Sequence, residues 1–198
     1  MFELPLTSSA RAEHKAGVGR VRTLEPATIQ AQIRAAFAQA GHAWGYSMLA
    51  ATELYRILDI GDRFIEAGQW ANAQVVYATV ADAILPSYEE LEEEDHLAGV
   101  LKGCIGGVLS CLEAQPELSV EEQLEEADRQ ALFTSLFALW KHGCEYGIEV
   151  DEIPKVLAQQ ARRDEQALMI QWVQKEKVAG STWLNRHLAD FLALLTAQ

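Results

Sequence analysis

The sequence predicts an all-α protein, with about seven or eight antiparallel helices stacked as hairpins or as an irregular α-α bundle. Three observations lead there. Apolar residues recur three and four positions apart through almost every long segment, the spacing of one helix face. Proline and glycine fall between those segments, where helices stop. No segment competes as a strand: Gln74–Val80 is rich in β-branched residues but lies inside a strong helical stripe, and Asn-Gly hairpin turns are absent.

Residues 1–24 read as a flexible or extended arm, because Pro5, Ser8, Ser9, Gly17 and Gly19 come without periodicity. The arm is basic through Arg11, Lys15, Arg20 and Arg22, and too polar for the core of a signal peptide. Residues 25–198 read as one helical domain. Its first helix should begin near Pro26, a residue tolerated in a first turn, and bury Ile29, Ile33, Ala36 and Phe37 until Gly41 and Gly45 break it.

A hairpin follows at residues 47–86. Its first arm carries Leu49, Leu54, Ile57, Leu58, Ile60 and Phe64, and its second carries Ala73, Val76, Tyr77, Val80 and Ile84. Gly68-Gln69-Trp70 makes the corner, and Gly61 and Ala73 are small where two backbones would approach closely. Pro86 should end the second arm near Leu85.

Six acids crowd between Glu89 and Asp95, a density that favours a solvated face. The second helical half, residues 97–198, opens with a helix over Leu97–Glu113 that is apolar round much of its circumference and should be the central element of that half. Within it, Gly103-x-x-x-Gly107 implies a closely crossing neighbour. Pro116 stops it, and Ser119 with Glu122 has the spacing of a capping box for the next helix, whose inward residues run from Leu124 to Trp140. Asp151 should cap a short helix with Pro154 in its first turn. Leu168, Met169, Trp172 and Val173 mark the helix after Arg162-Arg163-Asp164, and a last helix from about Ser181 carries a broad apolar stripe that suits a terminal cap more than a dimer surface.

The chain has 198 residues, 49% of them hydrophobic, enough for a substantial core. A net charge of −13 argues against direct binding of nucleic acid or an anionic membrane, which need clustered cations, and favours a basic partner. No apolar run reads as long enough to cross a bilayer, so the cytoplasm is the default location. Cys104, Cys111 and Cys144 read as buried reduced thiols, since the first two lie seven apart on one helix, about 10 Å along its axis.

In the hairpin, Gly61, Phe64, Gly68, Trp70, Ala73, Tyr77, Val80 and Pro86 resemble the tetratricopeptide repeat, with Ile57 where Trp is usual and the proline one residue late. Residues from about Ile29 to Trp172 also resemble the helical region that follows the zinc motif of bacterial SWIM zinc-finger proteins. Phe64–Gly68, Asn72-Ala73, the acidic Glu89–Asp95, Trp140 and Tyr146-Gly147-Ile148-Glu149 carry that resemblance. The chain lacks the Cys-x-Cys and Cys-x-His pairs, so the zinc function of that family does not carry over.

No catalytic framework is present: the five histidines are scattered singly, and neither a Gly-x-Ser-x-Gly elbow nor a His-Glu-x-x-His helix occurs. Glu93-x-x-His96 has the spacing of carboxylate-bridged metal sites but no second copy, so neither metal nor cofactor is expected. The function expected is a non-enzymatic protein-interaction module or scaffold subunit that binds a protein or peptide, and a homodimer or larger complex stays open. The repeat resemblance implies that Arg63, Gln69 and Asn72 on the hairpin face the partner, joined by the acidic edge Glu89, Glu90, Glu92, Glu93, Glu94 and Asp95. The alternatives are an acidic mimic that sequesters a basic nucleic-acid-binding protein and, behind it, a carboxylate/His metal enzyme.

Overall fold

The computed structural model describes residues 23–40, 46–90, 94–119, 123–148, 150–179 and 182–197. These form eight α-helices and no strand: α1 (Pro26–Ala40), α2 (Tyr46–Glu66), α3 (Trp70–Ile84), α4 (Glu94–Glu113), α5 (Glu126–Tyr146), α6 (Ile153–Gln160), α7 (Arg163–Ala179) and α8 (Thr182–Thr196). Short 3-10 turns, Leu85–Glu90 and Gln115–Glu117, follow α3 and α4. The expected all-α class is therefore what the chain adopts.

The α2–α3 hairpin turns at Gly68, whose φ of +69° lies in the left-handed region that a side chain disfavours. Two bonds close the end of α2: the Gly68 amide donates to the Ile65 carbonyl at 2.9 Å, and the Gln69 amide to the Phe64 carbonyl at 2.7 Å. Gln69 already accepts from the amides of Asn72 and Ala73 as the residue that opens α3, so the corner is as short as a helix hairpin allows. Pro86 behaves as expected, and α3 stops at Ile84. Leu49, expected on the apolar stripe of α2, is instead exposed.

Tyr77 fixes how closely α2, α3 and α4 meet. Its ring lies flat against the backbone of Gly61 on α2 and of Gly107 on α4; a Cβ at Gly61 would come within 2.6 Å of the ring, and one at Gly107 would collide with it as well. The Tyr77 hydroxyl donates to Asp62 Oδ1 at 2.5 Å, so a fully buried phenol keeps a partner. Burial, and then that bond, push its pKa well above the usual tyrosine range. The Gly103-x-x-x-Gly107 prediction holds in detail, since a Cβ at Gly103 would meet the Leu58 side chain of α2 at 2.8 Å.

The same contacts correct the expected role of α4. It packs on α2 and α3 at least as much as on α5 and α6, so it joins the two halves rather than centring the second. By length and composition His96–Glu117 could cross a membrane, contrary to the sequence expectation, but Leu97, Val100, Leu101, Cys104, Val108 and Leu112 are buried among neighbouring helices. Cys104, Cys111 and Cys144 are buried and free of disulfides. Burial pushes the Cys111 thiol up to about 12 and, with the charges of Asp151 and Glu145, the Cys144 thiol to about 11.

The start of α5 departs from expectation. Ser119 does not cap it: the helix begins at Glu126, with Glu125 as the preceding residue and no side-chain cap. Residues 120–122, including Glu122, lie outside the described residues. The reason is Gln115, a buried side chain that donates to the Cys111 carbonyl (2.8 Å) and accepts the Leu124 amide (2.7 Å). That pair of bonds fixes Leu124, buried in the core, two residues before α5 begins. Likewise α6 begins at Ile153 behind Glu152 with Pro154 in its first turn, and Asp151 is not its cap. Finally, α8 buries Leu184, Leu188, Phe191 and Leu195 against α5, α6 and α7, the closing role expected of it.

Candidate functional site

Of the side chains expected to face a partner, Arg63, Gln69 and Asn72 lie at the hairpin corner where α3 begins. Arg63 is exposed in the last turn of α2. Asn72 is 2% exposed and its amide is fully engaged: Oδ1 accepts from the amides of Thr23 (2.8 Å) and Leu24 (2.9 Å), while Nδ2 donates to Thr23 Oγ1 (3.0 Å) and Gln69 Oε1 (3.1 Å). Asn72 and Gln69 thus tie the segment entering α1 to the hairpin corner. This corrects the expectation that Asn72 faces a groove. Glu92 and Glu93 lie outside the described residues, as do the side chains of Glu89, Glu90, Glu94 and Asp95.

A second surface, built by α5 and α7, has the shape of a binding site. The order α5–α6–α7 takes the chain out and back, so that α5 and α7 run side by side in the same direction. Three links show the alignment: Arg129 meets Glu165, Phe137 meets Trp172 and Lys141 meets Glu176, each 35 or 36 positions on. Yet α7 packs chiefly on α8, and only side chains reach across to α5.

The Arg129–Glu165 link is the buried one. The guanidinium Nε lies 2.5 Å from Glu165 Oε1 and Nη2 lies 3.1 Å from Oε2, and Nη2 also donates to the Gln160 carbonyl at the end of α6. Glu165 Oε2 accepts the Arg162 amide at 2.7 Å, the reach-back that closes the first turn of α7. With the guanidinium over the Phe133 ring at 5.2 Å, this pair fixes three helix ends.

Between the helices lie two hollows in line. One, of about 270 Å³, is bordered by Glu126 and Gln130 of α5 and by Asp164, Leu168 and Gln171 of α7. The other, of about 380 Å³, has Phe137, Ala138, Trp172 and Leu85 as its apolar surface. Its edges are Lys141, Glu145, Lys175 and Glu176, and the Lys141 ammonium meets Glu176 at 3.1 Å across the opening. The two rings stand 5.5 Å apart at 43°, with Phe137 also against Trp140 and Phe191 beneath. His142 closes the far end, 4.8 Å from Tyr88 edge-on and 4.3 Å from Tyr146.

Phe137 packs inward as its spacing predicts and Trp172 is half-buried against it, but the hollow that both line is not announced by the sequence. Sequence reasoning also missed Arg129 and Glu165, although both fall in the register of their helices' apolar stripes, Arg129 three and four residues before Leu132 and Phe133. A charge on an apolar stripe is the available signal, and it points to a buried pair. The described residues contain no cluster of three or more His, Cys, Asp or Glu side chains able to hold a metal ion. Comparison with protein-family models, curated proteins and solved structures found no match.

Proposed function

We propose that this chain is a non-enzymatic protein-interaction module, a helical scaffold subunit of the cytoplasm that holds a partner protein in the groove between α5 and α7. One observation carries the reading: two long parallel helices are joined by side-chain links, leaving a hollow of about 380 Å³ with half-buried Trp172 and the edge of Phe137 in its wall and lysines and glutamates on its rim. Aromatic side chains in a concave, charge-rimmed setting are the usual anchors of protein interfaces. The buried thiols, held protonated at neutral pH, suit a reducing compartment and offer no nucleophile.

The test is co-purification from the cells that make the protein, with intact-mass measurement of the complex. A Phe137→Ala/Trp172→Ala variant should lose the partner while retaining its helical circular dichroism. A Met48→Gln/Leu49→Gln variant, altering exposed apolar residues of α2, should keep it. A chain that emerges alone, or a partner that survives the loss of both rings, refutes the proposal.

A further inference from the structure

Resting on that reading, we infer that the groove seats an amphipathic helix of a partner protein, antiparallel to α5 and α7, with a basic C-terminal end over Glu126 and Asp164. The first support is dimensional. The hollows run from Glu126 to Glu145, nearly the full length of α5, whose 21 residues make about 31 Å. Two hollows in line over that length, the second spanned by the Lys141–Glu176 pair that a ligand would displace, match about five turns of helix, the helix-in-groove mode of recognition. A compact ligand would fill one hollow and leave the other.

The second support is the order of chemistry along the channel. The apolar surface lies in the middle and toward the Leu85 end, where Phe137 and Trp172 can take the i, i+3, i+4 residues of an apolar face. There the charges balance, Lys141 and Lys175 against Glu145 and Glu176. At the other end they do not: exposed Glu126 and Asp164 border the hollow with Gln130 and Gln171, Glu165 is already held by Arg129, and the neighbouring Arg162 and Arg163 stand outside the lining, Arg162 toward Gln123. The unbalanced carboxylates call for cations on the partner at that end alone.

The third support is direction. Because α5 and α7 are parallel, the amino ends of both lie at the acidic end of the channel. A helix lying antiparallel brings its carboxyl end, with its negative partial charge, to those two amino ends. Lysine or arginine in its last turns then stabilises its own dipole and meets Glu126 and Asp164 together. A parallel helix with basic first turns would set like poles side by side.

The test uses the full chain and fluorescently labelled synthetic peptides of 19 residues, read by anisotropy. One has leucine at helical spacing, glutamate in its first turn and lysine in its last two. A second has the same composition with the charged ends exchanged, and a third carries a central proline. The first peptide should bind about fivefold more tightly than the second, a gap that closes in 0.5 M salt, and the proline peptide should bind at least tenfold more weakly. Glu126→Gln/Asp164→Asn, whose melting curve serves as the folding control, should abolish the difference between the first two while leaving both bound. Equal binding of those two peptides to the unaltered chain overturns the inference and leaves the groove reading standing. Binding unaffected by Trp172→Ala overturns both, and full binding of the proline peptide overturns the helical occupant.

Discussion

Around Tyr77, three helices approach until an aromatic ring rests on bare backbone from two sides. Between α5 and α7, two helices are held at a distance by an arginine, a lysine and two rings reaching across. The same chain therefore makes two kinds of helix contact. Close approach needs glycine and leaves no space; bridging uses long side chains and leaves a channel. The first kind supports the fold, and the second creates a surface that something else can occupy.

The sharpest way to break this contrast is at the close contact. Tyr77→Ala removes a fully buried ring and strands the space between Gly61 and Gly107, and should cost about 4 kcal/mol in chemical denaturation. Tyr77→Phe should cost only about 1 kcal/mol, the hydrogen bond to Asp62. At the bridged contact, Arg129→Ala leaves Glu165 buried without its partner and should cost about 3 kcal/mol. Replacing both with methionine should recover most of that loss, and a double-mutant cycle reads the coupling.

Asn72→Ala releases Thr23 and Leu24 and should cost about 1–2 kcal/mol, with faster amide exchange at those two residues as its signature. Lys141→Ala, by contrast, breaks a half-exposed pair and should change stability by less than about 1 kcal/mol. An equal loss at Lys141 and Arg129 would erase the distinction between surface bridge and buried clamp.

Thiol chemistry sharpens the comparison without altering the packing. Cys104 and Cys111 lie on α4 and Cys144 on α5, all buried, so labelling by a thiol reagent should require opening. Arg129→Ala should speed labelling of Cys144 far more than of Cys104. Because burial makes these thiols weaker acids in the folded state, the stability they contribute is complete below about pH 9 and is lost as pH rises toward the folded pKa values of about 11 and 12. Denaturant midpoints should therefore fall above about pH 9, and less steeply in a Cys104→Ala/Cys111→Ala/Cys144→Ala variant.

Much of the architecture was legible because local rules governed it. Pro26, Gly68 and Pro86 set the ends of α1, α2 and α3, and the glycine spacing of α4 announced a close crossing before any neighbour was known. The start of α5 was not legible, because Gln115 overrides a good capping sequence by capturing the Leu124 amide in the fold. Asn72 read as a groove residue because a polar side chain on a helix looks the same whether it meets solvent or a backbone 49 positions away. The groove was the least legible of all. It depends on α6 returning the chain so that α5 and α7 run in parallel, a property of topology that no periodicity within either helix encodes.

The Gly61–Tyr77–Gly107 stack also restricts the order in which this fold can change. Alanine at Gly107 meets the ring and should be destabilising, although alanine favours a helix by about 1 kcal/mol over glycine. With leucine at position 77 the obstruction is gone, and the same substitution should become stabilising. The sign of a mutation at one site is thus set by a residue on another helix. A lineage leaving this arrangement must shrink the tyrosine first, crossing a less stable intermediate, before either glycine is free to vary.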